Sequence, residues 1–303
     1  MSSPTSSGAP PSTFSTPAPA RPPRSRTWII PTVVVVVVVV VLLAALFATG
    51  TLRLGTSSSG NPALETFSQA ESVASGGASG QSGGTWFPVF GAALATPTAL
   101  LEPESNITSV LDSINCTVSW PNGEPTSVEI PATPTGAAVG AAAYWAFGFK
   151  NVSNALLVVT VSSGTASALV LVTGSLCEDL IEYIAPFPSG VVDSPAIVTA
   201  ADQAGGSAFL TAYPNATKVW GAVAGAQFGA ITTSPVWLVE YTTCSIPPYL
   251  GETGQVFNAT LGGTSGAVIN STSGPAACTI SVPSGILTGV PIPGTPSAVR
   301  KAI

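Results

Sequence analysis

Nine consecutive valines, Val33–Val41, lie within a stretch of 21 residues, Trp28 to Ala48, that carries no charge. A helix rises about 1.5 Å per residue, so such a stretch spans roughly 30 Å, the thickness of the hydrocarbon core of a bilayer. A single segment satisfies its backbone hydrogen bonds in lipid only as a helix. The sequence therefore predicts a transmembrane helix over residues 27–49.

The charges that flank this segment predict its orientation. Arg21, Arg24 and Arg26 precede it, whereas only Arg53 follows it closely. The positive-inside rule then places the N-terminus in the cytoplasm and the rest of the chain outside, as a single-pass protein of the cell membrane. A cleaved signal peptide is the alternative, because Ala48-Thr49-Gly50 offers small residues for cleavage, although its apolar core is usually about 7–15 residues long.

Composition divides the remaining chain into segments. Residues 1–26 are mostly Ser, Pro, Thr and Ala, which predicts a disordered cytoplasmic tail. Residues 50–61 are predicted to form a flexible spacer, and residues 285–303, with three closely spaced prolines, a second disordered tail. Between them we expect a strand-rich first module at 62–190 and a second α+β module at 191–284.

Charge narrows the classes of partner. Charged residues make up 7% of the chain, against about 25% in typical soluble proteins. All 14 acidic residues follow the predicted anchor, together with five basic ones. This balance argues against nucleic acid, whose binding depends on clustered Lys and Arg, and against docking on anionic lipid. A surface with few charges and no histidine changes little with pH and suits an acidic exterior.

Four cysteines, an even number, lie on the exported side: Cys116, Cys177, Cys244 and Cys278. Disulfides are typical of that compartment. Three pairings are possible, and the two-module layout favours Cys116–Cys177 with Cys244–Cys278. The chain has no CxxC pair and no histidine, so no metal site or cofactor is predicted.

The exported side also contains six N-x-Ser/Thr sequons, at Asn106, Asn115, Asn151, Asn215, Asn258 and Asn270. Several such motifs arise by chance in a chain so rich in Ser and Thr, yet all six lie where N-glycosylation takes place. Asn151 falls in a predicted loop between two strands, where a glycan would be tolerated. The sequence therefore predicts a glycoprotein.

Each module is predicted to open with a helix. In the first, Asn61 is the expected N-cap, and the glycine-rich residues 76–84 end the helix. In the second, Ser194 is the expected N-cap and Pro195 the first helical residue. The two openings share the pattern Pro-Ala-Leu/Ile-x-Thr, and a tryptophan follows each at a similar distance. A tandem duplication explains this repetition, and chance is the alternative.

The rest of each module is predicted to be antiparallel sheet. Apolar, β-branched stretches predict strands at YWAFGF, ALLVVTV and ALVLVTG in the first module and at NATKVWGAVAGAQFG, SPVWLVEYTTC, GQVFNATL and GAVINSTS in the second. The stretches SSGTAS and GGTSG read as hairpin turns. Most of the exported tryptophans lie in these patterns, which indicates the core. The overall fold class is α+β, with an N-terminal transmembrane helix followed by two strand-rich modules.

The second module resembles the PepSY family of small exported α+β domains. The matching features are its helix, then Val236-Trp237-Leu238-Val239-Glu240-Tyr241, then Val256-Phe257-Asn258-Ala259-Thr260 closing on Gly266-Ala267-Val268. The resemblance implies extracytoplasmic regulation, including restraint of peptidases. Gly262-Gly263-Thr264 stands where that family often has an acidic residue in the last turn. The whole exported part also resembles single-pass surface proteins of acid-dwelling archaea, a likeness that supplies no function.

Catalytic patterns are weak. The absence of histidine excludes Ser-His-Asp triads and the H-E-x-x-H metalloprotease site. Residues 80–84 match G-x-S-x-G, but in a Ser/Gly linker rather than a strand-to-helix elbow. A Ser–Lys dyad would have to use Lys150 or Lys218, each beside a sequon. Asp179 and Glu182 share a helix face and are the best candidates for acid–base chemistry.

We therefore expect a non-enzymatic binding or interaction module with no cofactor, anchored in the membrane by its N-terminal helix and facing a protein or envelope partner. One alternative is a structural or adhesive glycoprotein of the cell envelope, favoured by the sequons and the nearly neutral surface. A second alternative is a carboxylate-dependent hydrolase that uses Asp179 and Glu182.

Overall fold

A computed structural model describes residues 63–95, 117–119, 121, 132–134, 137–174, 178, 181–182, 184–223, 234–245 and 252–278. The predicted anchor at 27–49, both predicted disordered tails and the 50–61 spacer lie outside these ranges. Within the ranges, no helix is long and apolar enough to cross a membrane. The transmembrane helix therefore stays a prediction.

The described strands form one antiparallel sheet, in the order β2-β5-β4-β3-β1-β6-β7-β8-β9. Their bounds are β1 Phe87–Ala95, β2 Thr117–Ser119, β3 Tyr144–Lys150, β4 Leu156–Ser162, β5 Thr165–Thr173, β6 Thr217–Val223, β7 Val236–Thr242, β8 Thr253–Gly262 and β9 Val268–Ala277. The helical segments are α1 Phe67–Ser79, α2 Ser194–Ala201, a π-helical turn Asp202–Gly206 and α3 Ser207–Ala212. The α+β class with antiparallel pairing is confirmed.

The sheet has two halves that meet at the β1–β6 pair. Helix α1 is followed by β1, β3, β4 and β5, which are neighbours in that order, and the second helical segment is followed by β6, β7, β8 and β9, which are also neighbours in order. A helix and four neighbouring strands thus occur twice in one continuous sheet, and the first half has a fifth strand, β2, at its edge beside β5. The residue spacing noted in the sequence does not match this repetition, because Trp86 precedes β1 whereas Trp220 lies in the middle of β6. The module boundaries at 62–190 and 191–284 stay predictions.

Small residues let β1 and β6 approach closely. Gly221 lies opposite Ala92, and a Cβ built on Gly221 would be 3.1 Å from the carbonyl oxygen of Gly91. A glycine in a strand interior often marks such a close approach of backbones. The first and last residue pairs of this joint are Phe90 with Val223 and Ala95 with Lys218.

Helix α1 starts later than predicted. Glu65 exchanges backbone hydrogen bonds of 3.0 Å with Ala142 and is therefore extended, not helical. The helix begins at Phe67, and its N-cap is Thr66, whose N–H donates to Gln69 Oε1 at 3.0 Å. The predicted cap at Asn61 is thus wrong, because a contact far along the chain holds the preceding residues in an extended conformation.

Helix α1 also continues through part of the glycine run that was expected to end it. A stripe of small side chains on its buried face, including Ala70, Ala74 and Ala78, faces the sheet. A Cβ on Gly77 would lie 3.1 Å from the Cβ of Ala166. Close packing on the sheet thus offsets the usual cost of helical glycine, about 1 kcal/mol relative to Ala.

The second helix begins with Asp193 as N-cap rather than Ser194. Asp193 Oδ1 accepts from the N–H of Ser194 at 3.0 Å and from the N–H of Ser68 in α1 at 2.9 Å. The Ser194 hydroxyl is buried, accepts from the N–H of Phe67 at 2.9 Å and donates to the carbonyl of Gly140 at 2.7 Å. The starts of the two helices are therefore hydrogen-bonded to each other.

Both helices pack on the same face of the sheet, over one aromatic core. The ring centroid of Phe67 is 5.9 Å from that of Trp145 in β3 and 5.0 Å from that of Trp237 in β7. Trp145, Trp220 and Trp237 are all buried, which confirms the prediction that they belong to the core. Trp86 is only half-buried.

The Cys244–Cys278 disulfide of the favoured pairing is present, with the two Cα atoms 5.6 Å apart. It joins the end of β7 to the end of β9 across β8. Cys116 and Cys177 lie outside the described residues. Thr117 in β2 pairs with Thr173 in β5. In the sequence, Cys116 directly precedes β2, and Cys177 comes shortly after β5.

Replacing Gly91 by Ala tests the packing of the core beneath the β1–β6 pair. An added Cβ would be 2.5 Å from Phe147 Cε1 and 2.7 Å from Phe67 Cε2, and overpacking of this kind costs ~1–3 kcal/mol. We expect Gly91→Ala to lower the free energy of unfolding in urea by that amount. Gly274→Ala, with no atom within 4 Å of the new Cβ, is the control and should change it by less than ~0.5 kcal/mol. Equal effects would contradict this packing.

Candidate functional site

The residues singled out for catalysis do not come together in the described structure. Asp179 lies outside the described residues, and Glu182 is exposed. Lys150 Nζ lies 3.5 Å from the carbonyl oxygen of Ile181 and 3.4 Å from that of Glu182, to which it donates. Burial lowers the pKa of Lys150 and the Glu182 carboxylate opposes this shift. These contacts hold the 181–182 turn against the end of β3, which is a structural role.

Two further candidates occupy ordinary structural positions. Lys218 is half-buried on β6, opposite Tyr241. The G-x-S-x-G stretch at 80–84 follows helix α1 and precedes β1. A nucleophile elbow needs the reverse order, strand and then helix. Among the described residues, no three His, Cys, Asp or Glu side chains form a group that could hold a metal ion.

An acidic cluster of two residues, Asp193 and Glu71, lies at the starts of the two helices. Asp193 caps α2 and also accepts from α1, where a negative charge is favoured by both helix dipoles. Burial raises the pKa of Glu71 in the second turn of α1, and the Asp193 charge adds to this increase. Asp193 therefore stabilises the junction of the helices through its hydrogen bonds, whereas an ionised Glu71 destabilises it.

A buried tyrosine, Tyr241, is hydrogen-bonded to a half-buried aspartate, Asp202, at the π-helical turn. The Tyr241 hydroxyl donates to Asp202 Oδ1 at 2.7 Å. Burial, and then the contact with Asp202, raise the pKa of Tyr241 far above its ordinary value. Gly205 has φ of 129°, and a Cβ on Gly206 would be 2.8 Å from the Tyr241 ring. The pair fixes this wider turn over β7, and the sequence pattern did not indicate it.

The two halves of the sheet differ on the side that faces away from the helices. In the first half this outer side is apolar and buried, as at Tyr144, Leu156, Val158 and Val172. Strand β4, LLVVTVS, is apolar on both faces, which is typical of a strand covered on both sides. Helices α1 and α2 do not cover this side, but Lys150 on it donates to the carbonyls of Ile181 and Glu182, and Ile181 and Ile184 are buried, so this segment covers part of it.

In the second half the outer side is half-exposed and more polar, except near the disulfide, where Thr242 and Val256 are buried. Trp237, Val239 and Tyr241 point to the helices, so the alternate residues of β7 point outward. We define the open face as the half-exposed outward side chains Val219, Leu238, Glu240, Asn258 and Thr260 of β6–β8.

Strand pairing aligns these side chains in rows. One row runs from Val219 through Glu240 and Asn258 to Thr272 on β9. Neighbouring side chains in such a row lie about 4.5–5.5 Å apart at Cβ. The open face is thus a regular array of mainly uncharged groups, held on strands whose opposite side is packed in the core.

The described sequon asparagines have very different surroundings. Asn215 is exposed in the turn before β6, Asn270 is exposed on β9, and Asn258 is half-buried in the middle of β8. Asn106 and Asn115 lie outside the described residues.

Asn151 does not suit a glycan, contrary to expectation. Its side chain is 7% exposed. Its Oδ1 accepts from the N–H groups of Ser153 at 2.9 Å and Ala155 at 3.0 Å, and its Nδ2 donates to the carbonyl of Gly83 at 3.2 Å. The nitrogen that would carry the sugar is therefore already engaged inside the fold, which argues against a glycan on Asn151.

No protein-family model, no curated protein and no solved structure matches this chain. The PepSY resemblance therefore remains an expectation from the sequence pattern. The open face, which that pattern did not single out, is the candidate site.

Replacing Asn151 by Ala tests its structural role. The change leaves the Ser153 and Ala155 N–H groups without their acceptor, and an unsatisfied buried group costs ~1–3 kcal/mol. We expect the free energy of unfolding to fall by at least that amount. Asn215→Ala, at an exposed turn, is the control and should have an effect of less than ~0.5 kcal/mol. Glycan mass on the Asn151 peptide of the folded protein would contradict this assignment.

Replacing Glu71 by Gln tests the acidic cluster. A carboxyl with a raised folded-state pKa contributes stability that is present below its unfolded-state pKa, near about 4.3, and is lost as pH rises through the folded value. Glu71→Gln imitates the protonated form, so we expect a more stable protein at pH 7 and a smaller gain in stability on acidification to pH 4. Denaturant unfolding at several pH values measures this, with the exposed Glu182→Gln as control. An unchanged pH profile would contradict the role of Glu71.

Proposed function

We propose that this chain is a single-pass membrane protein whose extracytoplasmic part binds a protein partner on the open face. The observation that carries this proposal is the difference between the two outer sides of one sheet. The first-half side is buried and apolar, whereas the second-half side is half-exposed and bears hydrogen-bonding groups. The anchor at 27–49, with the N-terminus in the cytoplasm, belongs to the proposal.

The chemistry of the open face indicates the kind of contact it makes. Asn258 and Thr260 both donate and accept hydrogen bonds, and Leu238 supplies an apolar contact between strands. Glu240 is the one charged member of the face as we define it. Interfaces poor in charge depend little on electrostatic steering, so partner binding should be only weakly sensitive to salt.

The structure of the platform supports a role in binding. The open face lies on three paired central strands, and their opposite side contributes Trp220, Trp237 and Phe257 to the core. Rigid strands hold contact residues more accurately than loops do. The PepSY resemblance supports an extracytoplasmic peptidase as the bound partner, which this protein would restrain.

A structural or adhesive envelope glycoprotein is the second candidate. The observation that favours it is the register of β8 and β9, in which Asn258 lies opposite Thr272 and Thr260 lies opposite Asn270. Two sequons are thus side by side, each asparagine across from the other's threonine. A glycan on Asn258 would stand in the middle of the open face and cover it.

Site-specific photo-crosslinking tests the first proposal. A photoreactive residue at position 238, which leaves the Asn258 sequon intact, should give a protein adduct of one defined mass in full-length protein in its native membrane. The same probe at Thr165, an exposed residue of the first half, is the control and should give none. A salt series should leave the adduct yield nearly constant. No adduct at position 238, or equal adducts at both positions, would contradict binding on the open face.

Peptide mapping of the same material separates the two candidates. An unmodified Asn258 peptide is expected if the open face binds a partner. Full glycosylation of Asn258 would favour the envelope glycoprotein instead, because the sugar would block the face.

A further inference from the structure

Strand β9 forms one edge of the sheet. Its ten residues, Val268–Ala277, pair with β8 except at an irregularity at Ile269, and no other described strand pairs with it. The backbone N–H and C=O groups on the outer side of an edge strand can pair with a strand of another molecule. A long edge strand is therefore a risk of association that a protein must control.

Strand β9 has few of the features that usually keep an edge strand from pairing with another molecule. The strand, VINSTSGPAA, contains no charged residue, and its single proline, Pro275, lies near its end. Val268 is 41% exposed and Ile269 is 65% exposed. In an antiparallel pair of two β9 strands, the apolar start of each would meet the small apolar residues Ala276 and Ala277 of the other. The sequence of the edge is therefore complementary to itself.

One feature at this edge does offer protection. Asn270 begins the sequon Asn270-Ser271-Thr272, and all three residues are exposed. Asn270 pairs with Thr260 of the open face, whereas Ser271 Oγ donates to the carbonyl of Ala204 on the helix side. The Asn270 side chain therefore lies on the outer side of the sheet, at its rim.

We propose that Asn270 carries an N-linked glycan that prevents the β9 strands of two copies from pairing edge to edge. The inference rests on the extracytoplasmic location in the proposed function. In the reaction a bond forms between Asn270 Nδ2 and the anomeric carbon of a sugar. The bond between that carbon and the phosphate oxygen of a lipid-linked sugar donor breaks, and the amide proton is lost to the released phosphate.

The position of Asn270 explains why its glycan would protect the edge. A strand of a second copy would lie about 4.8 Å from β9, and its outward side chains would occupy the space of a sugar on the rim. Asn258 is half-buried between two strands, and Asn215 lies before β6, three strands away from β9. A glycan on Asn215 would add solubility without blocking this edge, which makes Asn215 the matched control.

The test uses the full-length protein from a host that glycosylates it, purified in detergent. Peptide mass spectrometry reads the occupancy of Asn270 and Asn215, and light scattering gives the number of protein copies per micelle. We expect one copy for the wild type and for Asn215→Gln. Asn270→Gln and Thr272→Ala each destroy the sequon by a different change, and both should at least double the protein mass.

A rescue variant locates the new contact. Adding Ile269→Lys to Asn270→Gln places a charge on the exposed edge, which opposes strand pairing. We expect the double variant to return to one copy. Failure of this rescue, or a single copy for Asn270→Gln alone, would overturn the proposal.

The glycan occupancy of Asn270 and Asn215 distinguishes a failure of this inference from a failure of the proposed function. A glycan on Asn215 with a bare Asn270 overturns the role of Asn270 and leaves the extracytoplasmic location supported. A chain with no glycan at either site, in a host that glycosylates its exported proteins, contradicts the location and therefore both proposals.

Discussion

The pairing of β1 with β6 holds this fold together. It joins the five strands of the first half and the four strands of the second half into one sheet, and the small residues Ala92 and Gly221 allow the backbones to meet. The hydroxyl of Ser194, in the second half, accepts a hydrogen bond from the N–H of Phe67, in the first half. The ring of Phe67 in turn contacts both Trp145 and Trp237. Separation of the two strands would therefore also divide the aromatic core.

The outer sides of the two halves of the sheet have different properties. Strand β4 is apolar on both faces, whereas β7 alternates between core residues and outward ones such as Glu240. A covered side adds stability, and an uncovered side is available to a partner. One half of the sheet thus supports the other, which explains how a chain so poor in charge combines a large core with an open polar surface.

Local patterns in the sequence predicted the elements that depend on local interactions. The β-branched runs gave most of the strands, and the burial of Trp145 followed from its strand. The Cys244–Cys278 pair followed from the module layout.

Features that depend on distant contacts escaped prediction. Helix α1 begins at Phe67 because Glu65 pairs with Ala142. Ser194 is not a cap because its hydroxyl serves a residue 127 positions away in the sequence. The open face was missed for the same reason, since the strand pattern does not show which outer side is covered.

The order of the strands in the sheet also has a consequence for the order of assembly. Hairpin contacts within the first half form as soon as β5 has been made, but the outer edge of β1 stays unpaired until β6 follows. During synthesis, the time at which residues 191–223 are made therefore determines how long an incomplete molecule remains exposed to aggregation.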